Sequence, residues 1–519
     1  MRVLLHRFRR GGARAALLAA ALAFASGASS TLAAGDPDRP LVVMLGSEPA
    51  TLDPLRAADA GGVRIAHQLL FETFVQLGDD LSLQPGLARW ERLGPTRYRF
   101  TLPAGRRFHS GAALTAADAV YTLERFMAPE VASPYGPTLR ADIAALEQTG
   151  PLTFEVELKA PYAGFLSHLI LPVLSRQPGG VPTPWGDLNG SGPFRYVRRA
   201  VGAIELARNE AYPHPAGVAR VVFKIVQDDS TRLLKLEKGD IDLAINELPL
   251  DKLALLRRPP LSARYTLLEA PGLSYQYLGF NLRDPLLADV RVRRAIAQAI
   301  RVDVLIERRQ LGHSVRATGL MPPGSPYADP SLEPWPYDPA AAARLLDEAG
   351  YPLRAGRRLR LSYKTTTDRS AVIQARVIQS DLRQVDIDVE VRSYEWATFF
   401  GDIRKGNFQL YSLRWIGVSD PDFLYELLDS RNGPPDGRNR GAYANPKVDA
   451  LLEQARVAPD PQRRAALYRE VQRIVHAELP YLSLWHNNNV AVVARGLAGF
   501  RLHPSGGFEH LPQAHWGAP

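Results

Sequence analysis

Hydrophobic and polar positions along the chain follow two periods that replace each other repeatedly. Leu41-Val42-Val43-Met44-Leu45 is an unbroken apolar run of strand length, ended by the loop Gly46-Ser47-Glu48-Pro49. Alternation at residues 98–102 and 154–158 marks further strands, and 221–226, 359–363 and 387–391 read as strands too. Helical spacing takes over at 63–74, where Val63, Ala66, Leu70 and Phe74 share a face. It returns from Asp289, where Val292, Ala295, Ile296, Ala299 and Ile300 do. Helix starts are written in the chemistry: Thr115 with Asp118 three residues on reads as a capping box, and Asp338-Pro339 and Asp460-Pro461 place Pro at a first helical position. Pro271-Gly272 predicts a turn before a strand at 275–281, and two separate late strands are expected at 482–485 and 490–493. Strands and helices therefore alternate, interrupted by a Pro/Gly-rich stretch at 176–193. The pattern predicts α/β lobes with a mixed sheet in each.

The N-terminus is different. Arg2, Arg7, Arg9, Arg10 and Arg14 flank an apolar run at 15–25, followed by small residues up to Leu32-Ala33-Ala34. This is the plan of a secretory signal, expected to span 1–34 with cleavage near Ala34. The run is short of the roughly 20 residues a bilayer span needs. Those five arginines make up more than half of the formal net charge of +9. The remaining bias is too weak to imply nucleic acid. At 519 residues the chain exceeds the roughly 250–300 that one core holds, so more than one folding unit is expected. The absence of Cys removes disulfides, thiolate metal sites, thiol catalysis and a lipidated N-terminal cysteine. An exported protein without a lipid anchor is expected to be periplasmic.

Motifs with chemistry are mostly missing. There is no G-x-G-x-x-G, P-loop, H-E-x-x-H, G-x-S-x-G or EF-hand loop, and no cofactor or metal site is expected. His476 and His486 read as structural or surface groups, since a metal needs a convergent, oriented set. Arg291, Arg293 and Arg294 lie mostly off the apolar helix face and read as solvated. Asp420 and Asp422, two apart on a loop, are either turn and cap residues or the acid and base of a secreted hydrolase.

Eight strings in order then carry a resemblance. They are Glu48-Pro49-Ala50-Thr51-Leu52-Asp53-Pro54; Phe108-His109-Ser110-Gly111 with Leu114-Thr115-Ala116-Ala117-Asp118-Ala119-Val120; Gly190-Ser191-Gly192-Pro193-Phe194; Gly239-Asp240-Ile241-Asp242; Tyr277-Leu278-Gly279-Phe280-Asn281; Asp289-Val290-Arg291-Val292-Arg293-Arg294-Ala295-Ile296; Leu345-Leu346-Asp347-Glu348-Ala349-Gly350; and Tyr443-Ala444-Asn445-Pro446. The chain resembles the extracytoplasmic solute-binding proteins of ABC importers, family 5, the dipeptide/oligopeptide-binding type. The resemblance implies a two-lobed α/β periplasmic-binding-protein clamp with mixed sheets and an extra subdomain inserted in the first lobe. Lobe I would cover 35–274, with the insertion at about 76–188; lobe II would cover 275–485; and 486–519 would return to lobe I. A monomer would bind a small peptide between the lobes and dock on a membrane permease with its ATPases, doing no chemistry itself.

The family pattern also implies site residues, and it breaks in one place. In the family's peptide binders an Asp shortly after a "W-x-G" string holds the ligand's amino terminus. Here the string is Trp415-Ile416-Gly417-Val418-Ser419-Asp420, with Val418 where that Asp is expected. Either Asp420 replaces it, with Gly417 and Ser419 in the same loop, or the ligand is a non-peptide solute such as an opine, a glycoside or a metal chelate. Arg414 is a carboxylate partner or an outward-facing strand residue. Trp396 and Trp415 line the cleft or belong to the core. Ser47 and Glu48 follow the first strand, where α/β sheets place ligands, and Glu48 offers a cation partner or caps the next turn. The same clamp could also serve a sensory or chaperone role without a transporter.

Overall fold

The computed structural model describes residues 39–179, 182–183 and 185–517. The leader expected over 1–34 lies outside them. No helix among the described residues is long and apolar enough to cross a membrane.

Two long antiparallel strands, Tyr265–Phe280 and Tyr481–Ala494, run from one lobe into the other. On the first side Leu41, Val43, Leu45, Phe194, Val221, Phe223 and Leu243 pack with Val493 and Phe508. On the second side the sheet is packed on both faces. Val292, Ile296, Leu346, Leu361 and Ile378 form one layer, and Tyr277, Phe399, Tyr411, Leu424, Leu452 and Tyr468 the other. One sheet threads both lobes. Its order across the described residues is Phe194–Ala200, Ala203–Arg208, Arg220–Ile225, Leu41–Leu45, Leu243–Ile245, Tyr481–Ala494, Tyr265–Phe280, Leu410–Trp415, Leu359–Thr366 and Ile387–Tyr394. A separate four-stranded antiparallel sheet, built on Arg97–Thr101 and Thr153–Leu158, packs under helix Ala116–Met127 with its own core of Phe74, Phe100, Leu123, Phe126 and Phe154. This is the two-lobed α/β clamp with an extra subdomain.

Local chemistry explains the element ends. The capping box at Thr115 forms, with the Asp118 carboxylate accepting the Thr115 N–H at 3.0 Å and its hydroxyl at 2.7 Å. Asp338 and Asp460 cap helices Pro339–Glu348 and Pro461–Glu478. Three expectations need correction. The strand expected after a turn at Pro271-Gly272 starts at Tyr265 and passes straight through, with a register slip between Pro271 and Ser274. A Cβ on Gly272 would stand 2.9 Å from the Asn487 carbonyl oxygen, so Gly marks a close backbone approach here, not a turn. The two late strands are a single strand. The helix expected at 63–74 begins at Ala60, capped by Asp59, widens to a π turn over Ala66–Leu70 and stops at extended Phe71.

Arg293 is the largest departure. Its side chain is buried, and its guanidinium donates to the carbonyls of Leu287, Ala288, Glu478 and Leu479. The helical wheel placed the Cα at the edge of the apolar face, and the long side chain then reaches two helix ends behind it. Arg291 stays exposed and pairs with Asp289.

Candidate functional site

Strand direction decides where the lobes present their loops. Leu41–Leu45, Arg220–Ile225 and Leu243–Ile245 are mutually parallel. Leu243–Ile245 and Tyr265–Phe280 are both antiparallel to Tyr481–Ala494, so they share a direction, from first lobe to second. Leu410–Trp415 is antiparallel to Tyr265–Phe280, and Leu359–Thr366 and Ile387–Tyr394 are parallel to it. The C-terminal ends of the first lobe's parallel strands therefore point at the second lobe, and those of the second point back. Both sets of ends, where α/β sheets bind ligands, converge on the crossing.

On the first-lobe lip stand Ser47 and Glu48, both exposed, just past Leu45. Glu48 takes an ion pair from Arg199 of its own lobe. Behind them Arg232 ties the lip together, donating to the carbonyls of Gly46 at 3.1 Å and Glu247 at 2.9 Å.

The second-lobe lip is aromatic. Trp396, 53% exposed, stacks on Phe400 at 5.3 Å between centroids. The Arg440 guanidinium lies 5.0 Å from the Phe400 centroid and 4.7 Å from that of Trp415. Trp415, half-buried at the end of its strand, lies parallel to Tyr277 at 6.1 Å, and Tyr277 to Tyr275 at 5.8 Å. The rings form a ladder from the exposed lip down to the crossing strands. Arg414 is exposed and, as a strand neighbour of Trp415, lies on the opposite face, beside Arg309.

Residues 82–435 match the family model described as "Bacterial extracellular solute-binding proteins, family 5 Middle". The chain belongs to this family. The glutathione-binding protein GsiB of Salmonella paratyphi A (strain ATCC 9150 / SARB42) is 28% identical over 511 residues, covering 95% of this chain and 97% of that protein. HbpA2 from Haemophilus parasuis superposes with a TM-score of 0.84 at 24% identity, over 92% of this chain and 100% of that one. The ABC transporter-associated periplasmic binding protein DppA from Helicobacter pylori, in complex with the peptide STSA, does so with a TM-score of 0.69 at 26% identity, over 92% and 98%.

In this family 5 protein the loop after Trp415 is structural as well as exposed. Gly417 has φ +74°, a left-handed turn position. Val418 is buried among the second-lobe core residues, and its N–H donates to Leu273 at the crossing. A carboxylate in its place would be buried in that core rather than offered to a ligand. Ser419 is half-buried. Asp420 accepts the Asp422 N–H at 2.8 Å and the buried Arg464 guanidinium at 3.1 Å. Asp422 is buried against Arg456 at 3.0 Å and Tyr468 at 3.1 Å. Burial pushes the Asp422 carboxyl up, against the opposing pull of Arg456. Both carboxylates are thus held by arginines. His476 and His486 donate a ring N–H to the backbone carbonyls of Thr318 and Gly319. No metal-holding cluster is present among the described residues.

Asp422 also joins the lobes. The hydroxyl of Tyr162, from the subdomain beside the four-stranded sheet, donates to Asp422 at 2.9 Å, and the Ala163 N–H donates to the Arg456 carbonyl at 2.6 Å. A Tyr162→Phe variant keeps its ring over Arg456 but loses a charge-assisted bond of about 1.5–3 kcal/mol. Exchange of the Ala163 amide hydrogen is then expected to speed up by roughly tenfold or more. An unchanged rate would mean that the hydroxyl does not hold this contact.

Arg440 and Phe400 in the ladder, and Tyr162 in the inter-lobe contact, carry no mark in the sequence. Tyr277 opens one of the family strings, but nothing in that string points to a ring ladder.

Proposed function

We propose that this protein is the periplasmic substrate-binding component of an ABC importer and that it holds a di- or oligopeptide between its lobes. The observation that carries the reading is the aromatic ladder with a buried guanidinium at convergent strand ends, which offers stacking faces and a cation together. The glutathione named for GsiB and the peptide bound to DppA support the ligand class. The proposed contact residues are Trp396 and Trp415 on one lip and Ser47 and Glu48 on the other, with Gly417, Ser419 and the Arg464-paired Asp420 in the loop beside them, while Arg414, on the opposite strand face, stays outside. Lobe I comprises 35–274 and 486–519, with its insertion at 76–188, and lobe II 275–485. The protein acts as an exported monomer, freed of residues 1–34, that delivers its cargo to a permease and ATPase complex. We read it as a binding protein and not as an enzyme; Asp420 and Asp422, the acid and base of the hydrolase alternative, are paired with Arg464 and Arg456. That occupation also favours a second reading, a non-peptide carboxylate solute, because no free carboxylate in this loop is left for an ammonium.

Thermal unfolding of residues 35–519 against di- and tripeptides, opines, glycosides and metal chelates tests this. A ligand at 100 times its dissociation constant adds about 2.7 kcal/mol, a shift of a few degrees at this size. Peptides are expected to give the shift without turnover. A shift confined to another class would discard peptide as the cargo.

A further inference from the structure

Three arginines among the described residues are buried: Arg293, Arg440 and Arg464. A guanidinium stays charged in any protein, and leaving it buried without an acceptor costs several kcal/mol. Arg293 meets this cost with four backbone carbonyls, and Arg464 with Asp420. Arg440 is different. It is 6% exposed, its Nε has no partner, it pairs with no Asp or Glu among the described residues, and it hydrogen-bonds the Tyr277 hydroxyl in place of a carboxylate. What surrounds it is the faces of Phe400 and Trp415 and the hydroxyl-bearing rings of Tyr277, Tyr411 and Tyr481. Its neighbour in sequence, Arg438, is already paired with Glu426 at 2.6 Å.

The position is as informative as the missing partner. Both flanking rings belong to the lip, and the backbone at Arg440 is fixed. Asn439 is buried, donates to the carbonyls of Asp429 and Tyr443, and accepts the Tyr443 N–H at 2.9 Å. A fixed, planar cation between two aromatic faces at the mouth of a cleft is preorganised for a planar anion that stacks and forks at once. We propose that Arg440 is the anchor for a carboxylate of the bound solute. The inference rests on the peptide reading for the ligand class, and deepens it: the anchoring contact is to the acid end of the peptide, not to its amine.

The test uses glutathione and trialanine, each as free acid and as carboxamide, with calorimetry on the wild type, Arg440→Gln and Arg440→Lys. The wild type is expected to favour the free acids by about 30-fold, the worth of one charged hydrogen-bonded pair. Arg440→Gln should bind acid and amide alike. Arg440→Lys, a point charge without the fork, should keep only part of the preference. A preference that survives Arg440→Gln overturns the proposal. If that variant does not fold, an Arg440→Lys variant with undiminished preference overturns it equally. If the wild type binds neither peptide, the peptide reading fails, and the comparison moves to succinate and its diamide. An acid preference that depends on Arg440 then sustains the carboxylate anchor, and none overturns it as well.

Discussion

Replacing Arg293 by alanine is expected to lower stability by about 4 kcal/mol, more than any single exposed ion pair of this protein would cost. Arg293 sits on helix Val290–Ala299 and reaches the C-terminal ends of two others, Pro285–Ala288 and Pro461–Glu478. It donates to Leu287 and Ala288 at 2.7 and 2.8 Å, and to Glu478 and Leu479 at 3.0 Å. The last carbonyls of a helix lack partners within it and carry the negative end of its dipole. Two such ends here converge on one cation, which explains how a guanidinium is buried without a carboxylate. Alanine leaves four carbonyls facing a cavity, and water admitted to that cavity recovers part of the loss. Arg293→Lys, with fewer donors, should fall between. Urea unfolding with unchanged slope and a lowered midpoint is the expected result. A loss below about 1 kcal/mol would mean that the helix ends are satisfied some other way.

The second large effect is a pH dependence. His67 and His486 are buried, each bonded through Nε2 to a backbone carbonyl, of Pro54 and Gly319. Burial pulls both down from 6.5 to about 4. The Nδ1 of His486 has no partner, as suits the neutral ring. Between these values the unfolded chain holds the proton and the folded one does not. The stability due to each neutral imidazole is complete above 6.5, falls as pH drops toward 4, and levels off below. Asp242, pushed up to about 6 by burial, works the other way, because the folded state holds its proton as pH falls from 6 toward 3.8. The total slope therefore mixes signs, and a comparison isolates the histidine. His486→Gln, which keeps a donor, should lose about 2.5 kcal/mol less than the wild type between pH 7 and pH 4.5. Parallel stability curves would show that His486 binds its proton alike in the folded and the unfolded chain.

The sequence makes some of this architecture legible, and the reasons are local. Asp-Pro and Thr-x-x-Asp pairs announce helix starts because the donors they satisfy are one turn away. Alternation announces strands because the pleat repeats every two residues. Ser47, Glu48, Trp396 and Trp415 are findable as lip residues because each closes or follows a strand. Arg440 is not, since its surroundings come from residues 277, 400 and 415, far apart in the chain. The Tyr162–Asp422 bond spans 260 residues and leaves no periodic trace. Arg293 misleads because a helical wheel locates a Cα and says nothing of where six side-chain atoms beyond Cβ end up. Val418 misleads in another way: a motif position identifies the loop, while the second-lobe core that the side chain joins decides that it turns inward.

Among the described residues the lobes meet at the crossing strands and, separately, at the Tyr162–Asp422 contact. Two fixed points define a line, and a body held on a line swings like a door. Sliding or twisting across that line would break one attachment or the other. On the proposed reading, the Trp396 edge of the ladder would approach Ser47 and Glu48 along a single arc, so that every solute would meet the same faces in the same order. Selectivity would then gain a geometric filter before any contact is complete: a solute too thick for the arc would stop the door short.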